Sequence, residues 1–298
     1  MQFLIRAFAR LSLRNSHALG LVLGWLGYAL SGSYRRRLNE QARWAGLTPG
    51  QRREAVGSAG RMVAELPWLW LRPADQPLAR LAQWQGAELI DEALAARRGL
   101  LLLTPHLGCF EVAAQAYVER FGSRTQLMVM YRPARQAWLR DVIEASRHRP
   151  GLATVSASLA GVRQMIRALR RGESVGLLPD QVPPEGMGVW APFLGRPAYT
   201  MTLAHRLVQQ TGALMLFIWA ERLPRGQGYL MRVSPLTEPM PSQALDDTDG
   251  SAWQAACAAS INREMERLIR QCPGQYLWGY HRFKQPRPQA AVTVEAGR

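Results

Sequence analysis

From residue 99 onward the chain consists of short, uninterrupted apolar runs separated by amphipathic stretches, and this alternation restricts the fold more than any other feature. Leu100 to Thr104, Gln126 to Tyr131, Ala153 to Ser156, Ser174 to Pro179, Leu214 to Ala220 and Tyr229 to Val233 read as strands. Glu111 to Phe121, Ala134 to Arg147, Leu159 to Arg171 and Met201 to Thr211 read as helices between them. A strand that is apolar at every position must be covered on both faces. The pattern therefore predicts an α/β fold with a mostly parallel central sheet flanked by helices. Such sheets carry their sites at the carboxyl ends of strands.

One strand end has a chemical signature. The stretch TPHLGCFE, residues 104 to 111, sets His106 just beyond the run Leu100 to Leu103 and Glu111 at the start of the next helical pattern. On one continuous helix, a step of five residues would turn the two side chains about 140° apart, and they would not meet. A strand-to-helix turn through Gly108 can fold the imidazole back toward the carboxylate. The spacing is then that of a general-base dyad, in which the carboxylate fixes the ring tautomer and the other ring nitrogen takes a proton. A structural histidine at a strand end is the competing reading. Cys109 sits inside the stretch without a recognised nucleophile signature, and no HExxH or other zinc spacing occurs, so no metal is expected.

The first 40 residues follow a different pattern. Arg6, Arg10 and Arg14 recur every fourth residue opposite Leu4, Phe8 and Leu11, as on an interfacial helix. Asn15 to Tyr34 then runs for 20 residues without a formal charge before Arg35-Arg36-Arg37. That length just suffices to cross a bilayer core, although Gly20, Gly24, Gly27 and Gly32 lower helix propensity. A membrane anchor, a cleaved signal peptide and a buried helical hairpin all fit, and we take the anchor as the expectation. The chain then divides into an N-terminal membrane-anchoring segment, 1–40, and a catalytic domain, 41–298. Trp68 and Trp70 suit either a membrane interface or core packing.

The formal net charge is +15, and of 37 basic residues only Lys284 is a lysine. So large an excess implies an anionic partner. Nucleic acid would require a basic face interleaved with aromatic side chains, and no such motif is present.

Taken in order, TPHLGCFE, YRP at 131–133, LLPDQVPPEGMGVWAPFLGRPAYT at 177–200, LAHRLVQQTGALMLFIW and CPGQYLWGYHRFKQPRP make the chain similar to the lauroyl/myristoyl acyltransferases of lipid A biosynthesis. The resemblance implies a lysophospholipid-acyltransferase-like fold at the cytoplasmic face of a bacterial inner membrane. It also implies a fatty acyl chain passed from acyl-acyl carrier protein to a hydroxyl of an anionic glycolipid, with no acyl-enzyme, no cofactor and a monomeric protein. The alternative within the same fold is another glycolipid or an aminolipid as acceptor, with acyl-CoA as donor. His106 and Glu111 match the family's HxxxxD/E dyad, and Arg147 and Asp180 match its arginine and aspartate. Arg147 is expected to bind acceptor phosphate or the developing oxyanion, with Asp180 orienting its guanidinium; a salt bridge that only organises the loop is the competing reading. Arg132 and the HRFK stretch at 281–284 are expected to line the anionic surface.

Overall fold

A computed structural model describes residues 8–73, 76–131, 136–147, 149–242, 247 and 250–287. Its centre is a seven-stranded sheet in the order β1-β9-β8-β2-β5-β3-β4. The strands are β1 (Ala82–Gln85), β2 (Leu100–Leu103), β3 (Leu127–Tyr131), β4 (Leu152–Ser156), β5 (Ser174–Leu177), β8 (Leu214–Arg222) and β9 (Tyr229–Pro235). Every neighbouring pair is parallel except β8 with β9. A separate antiparallel hairpin is formed by β6 (Gly188–Phe193) and β7 (Arg196–Met201).

The core follows from the leucine run. Leu100 and Leu102 pack into one apolar cluster, Leu101 and Leu103 into another, because successive side chains of a strand point to opposite faces of the sheet. Covering helices include α5 (Phe110–Phe121), α6 (Ala137–Arg147), α7 (Leu159–Arg170), α8 (Leu203–Thr211) and α9 (Ser251–Gln271). All six sequence-expected strands are present, within a few residues at their ends. Helix α8 begins two residues later than expected, because Arg196–Met201 pairs as a strand with β6.

The N-terminal region departs from the expectation. No described helix is long and apolar enough to cross a membrane. The uncharged run instead forms α1 (Leu13–Leu30), followed by α2 (Gly32–Trp44) and α3 (Pro49–Leu71), with α4 (Ala87–Ala95) after β1. Helix α1 lies directly on α3. At their crossing Gly20 and Gly24 meet Gly60, where an added Cβ would fall 2.0 Å from the Gly20 carbonyl oxygen. The glycines that weakened the helix in isolation thus permit backbone-to-backbone contact. The other face of α1 leaves Val22, Trp25, Leu26 and Leu30 exposed. Helix α2 runs through residue 40, and from it Gln41 reaches the carbonyl oxygens of Trp278 and Tyr280 at 2.9 and 2.7 Å. Trp68 and Trp70 are both half-buried, Trp68 against the core.

Candidate active site

Strands β2 and β5 are in register, with Leu103 beside Leu177. Each ends in a tripeptide with proline at its second position, Thr104-Pro105-His106 on one and Leu178-Pro179-Asp180 on the other. Parallel register therefore carries His106 and Asp180, each three residues beyond a paired leucine, to the same place. The imidazole Nδ1 lies 2.8 Å from Asp180 Oδ1, and the His106 backbone N–H donates to Oδ2 at 2.9 Å.

Asp180 is fully buried. Burial pushes its carboxyl up, but the His106 charge and its two hydrogen bonds, with the Arg282 charge nearby, outweigh this and hold it below the ordinary aspartate value. An ionised carboxylate only accepts hydrogen bonds, so Nδ1 carries a proton, and in the neutral ring the lone pair is then on Nε2. Nε2 makes no hydrogen bond among the described residues. This is the tautomer a general base needs.

The turn that places His106 depends on Gly108. Its φ is +62°, and a Cβ there would lie 1.9 Å from the Ala220 carbonyl oxygen. Cys109 donates its backbone N–H to that oxygen at 2.9 Å, and Gly108 donates to Gln275 at 3.0 Å. The Cys109 thiol is buried, and burial together with the nearby Glu65 charge raises its titration well above the ordinary thiol value. It stays protonated and offers no nucleophile.

The two carboxylates have exchanged the partners expected from sequence. Glu111, in the first turn of α5, bonds Arg147 Nη2 through Oε1 at 3.4 Å and makes no hydrogen bond to His106 among the described residues. Arg147, at the end of α6, also stacks on Tyr131 with its guanidinium carbon 4.3 Å from the ring centre. Asp180, expected to orient Arg147, instead holds the imidazole. The reason is geometric: a strand-end register places partners on neighbouring strands, whereas the five-residue step sends Glu111 onto the helix, where it faces α6.

Glu111 and Arg147 stand together on the lining of a cavity of ≈ 80 Å³. Leu102, Phe110, Ala113, Tyr117, Leu127 and Val129 are among its other wall residues, so its lining is mainly apolar. Phe110 also packs edge-on against His106, with ring centres 4.8 Å apart. Arg132 lies outside the described residues. Of the HRFK stretch, Arg282 does not line a surface: it is fully buried and donates to the Tyr199 carbonyl oxygen and Thr200 Oγ1, both at 2.7 Å.

A sequence model described as bacterial lipid A biosynthesis acyltransferase matches residues 52–285. The chain belongs to this family. Its relatives include the lipid A biosynthesis lauroyltransferase of Escherichia coli K12, 30% identical over 241 residues that cover 80% of this chain and 72% of the relative. The palmitoleoyltransferase of the same organism is 26% identical over 237 residues, 78% of this chain and 70% of that enzyme. A lipid A biosynthesis acyltransferase of Haemophilus influenzae is 22% identical over 282 residues, covering 92% and 83%. The match extends over β2, the turn at His106 and both strand ends that meet there, so this lipid A acyltransferase carries its candidate base within the region the family model matches.

Proposed function

We propose that this acyltransferase moves a fatty acyl chain from acyl-acyl carrier protein directly to a hydroxyl of a lipid A precursor, with His106 as general base. The observation that carries the proposal is the imidazole held by an ionised, buried Asp180 through Nδ1, with no hydrogen bond to Nε2 among the described residues. Nε2 removes the proton of the acceptor hydroxyl as its oxygen attacks the thioester carbonyl. The tetrahedral intermediate then expels the carrier thiolate, which takes the proton back from the imidazolium. Asp180 stabilises that imidazolium in the interval, and a base so placed contributes about 10² to 10⁴ in rate.

Glu111 and Arg147 act as a unit at the cavity. The carboxylate and the Tyr131 ring hold the guanidinium toward acceptor phosphate or the developing oxyanion, where a planar fork suits the geometry. The apolar cavity, with room for only a few methylenes as it stands, takes part of the acyl chain, each buried methylene contributing about 0.8 kcal/mol. Tyr117, one of its wall residues, is fixed by a hydrogen bond to Ser174 at 2.7 Å.

The exposed face of α1, followed by Arg35, Arg36 and Arg37, rests in the interface of an anionic membrane rather than spanning it. Replacing Val22, Leu26 and Leu30 with serine should release the protein from membrane pellets without lowering its melting temperature.

To test the reaction, purified protein in detergent is incubated with a tetraacylated lipid A precursor and acyl carrier protein loaded with different chains, and the product is weighed. Gain of one acyl group, abolished by His106→Ala and by Glu111→Ala in folded protein, is the expected result. Equal turnover by His106→Ala would remove the base from the mechanism, and turnover with acyl-CoA alone would replace the donor.

A further inference from the structure

The C-terminal segment from Gln275 to Lys284 wraps the catalytic turn, and its aromatic side chains contact the base and its carboxylate. Leu107 forms a β-bridge with Tyr276, and Leu277 donates its N–H to the His106 carbonyl oxygen at 2.9 Å. The Tyr276 hydroxyl donates to Asp180 Oδ2 at 3.1 Å, the third hydrogen bond that carboxylate accepts. Burial, with the Asp180 charge adding to it, raises the Tyr276 phenol well above its ordinary value, so it remains a donor throughout the working range. The Tyr280 ring lies against the imidazole with centroids 5.0 Å apart and 17° between planes. The Tyr280 hydroxyl accepts from the Val182 N–H at 2.9 Å, two residues beyond Asp180, and its carbonyl oxygen is held by Gln41.

An imidazole bonded through one nitrogen can still rotate about that bond. Here one face is covered by Tyr280 and one edge by Phe110, so the direction of the Nε2 lone pair is fixed. The carboxylate is fixed in the same way, with Oδ1 on the ring and Oδ2 shared between the His106 backbone and Tyr276.

We propose that Tyr276 and Tyr280 are positioning residues of this acyltransferase: Tyr280 sets the plane of the His106 ring, and Tyr276 sets how strongly Asp180 draws the imidazolium proton. The inference rests on His106 as the base and adds the residues that orient it.

The variants Y276F, Y280F and Y280L separate this role from simple packing. Y276F keeps the ring and removes one donor from Asp180. The carboxylate then attracts the imidazolium proton more strongly, so the acid limb of the rate profile moves to higher pH and KM stays unchanged. Y280L frees the ring and lowers kcat about 10- to 100-fold at unchanged KM, as expected for a misaligned base. Y280F keeps the stacked face and recovers most of that loss. Nitrogen NMR on the labelled protein, with His106→Gln for assignment, gives a readout without substrate: the Nδ1–H signal is protected from water exchange in wild type and Y280F and lost in Y280L. If wild type transfers no acyl chain while this signal behaves as described, the functional reading fails and the positioning stands. An unmoved acid limb in Y276F, or Y280F as impaired as Y280L, would overturn the proposal. Should Y280L not fold, the Y276F profile and the Y280F signal decide alone.

Discussion

His17 and His106 each contact a fully buried carboxylate, Glu65 in the N-terminal helices and Asp180 at the sheet. The two rings are almost equally buried, at 6% and 7% exposure, so burial does not distinguish them. What differs is the rest of each carboxylate's surroundings. Glu65 Oε1 is shared between His17 and the buried guanidinium of Arg222, a fixed positive charge that neutralises it whether or not the imidazole is protonated. Asp180 forms no ion pair with an arginine among the described residues, and its other partners are the His106 amide and the Tyr276 hydroxyl. Apart from the nearby charge of Arg282, which makes no ion pair with it, its charge is left for the imidazolium. A carboxylate without a bonded guanidinium can stabilise an imidazolium that forms during a reaction, while one already matched by a fixed charge serves to hold elements together. The N-terminal pair is therefore a structural joint, tying α1 and α3 to the end of β8, and the pair at the sheet is suited to proton transfer.

The largest effects should fall on opposite observables. His106→Ala should lower the transfer rate about 10² to 10⁴-fold, the usual contribution of a positioned base, with a small change in melting temperature. Asp180→Asn should act in the same direction, since the amide offers no charge to the imidazolium. A His17→Ala variant with comparable loss of kcat in folded protein would erase the distinction between the two pairs.

Next in size is the stability of the neutralised pair. Glu65→Ala leaves the Arg222 guanidinium buried without its counter-charge, and breaking such a pair from one side costs about 3 to 5 kcal/mol. Burial raises the Glu65 carboxyl, yet Arg222 and the His17 hydrogen bond hold it below the ordinary value. Its stabilising contribution is thus present above the unfolded value of 4.5 and is lost as pH falls through the lower folded one. Chemical denaturation of wild type and variant should show the cost at neutral pH. A difference under about 1 kcal/mol would indicate that the cluster is hydrated and does not join the helices.

Much of this is legible in the amino-acid sequence. Every strand of the central sheet that is a continuous apolar run showed itself, because complete burial leaves no polar position to blur the pattern. The short β1, with Gln83 and Gln85 in it, gave no such run. Helix α9 is not among the expected helices, although Cys257, Ala258, Ile261, Met265 and Leu268 repeat with helical spacing. At the candidate site, the residue pattern points to His106 and Glu111 and the resemblance adds Arg147 and Asp180, but the pairing among the four is not legible in either, because it depends on the β2–β5 register. The matched Thr-Pro-His and Leu-Pro-Asp endings were the available signal. The N-terminal run could not be assigned from itself, since lipid and a second helix both cover an uncharged surface. What decides is the glycine face of α3 at Gly57 and Gly60, far along the chain.

A third histidine sharpens the comparison by having no carboxylate partner among the described residues. His205, on α8, is 2% exposed, its two ring nitrogens lack hydrogen-bond partners among the described residues, and its ring packs edge-on against Trp253. Burial, with the neighbouring Arg206 charge adding to it, lowers its titration from 6.5 to about 4. As pH falls below 6.5 the unfolded chain takes up this proton and the folded one does not until about 4, so stability drains away across that window and is level beneath it. A shift of this size corresponds to a loss on the order of 3 kcal/mol. His205→Leu, of similar volume and without the ring nitrogens, should flatten that part of the stability curve while leaving the rate profile of acyl transfer where it was. Urea midpoints measured between pH 7 and 4 on both proteins give the slopes directly. Parallel slopes would mean that the His205 ring finds a partner or water on protonation, and that the absence of a carboxylate costs it nothing.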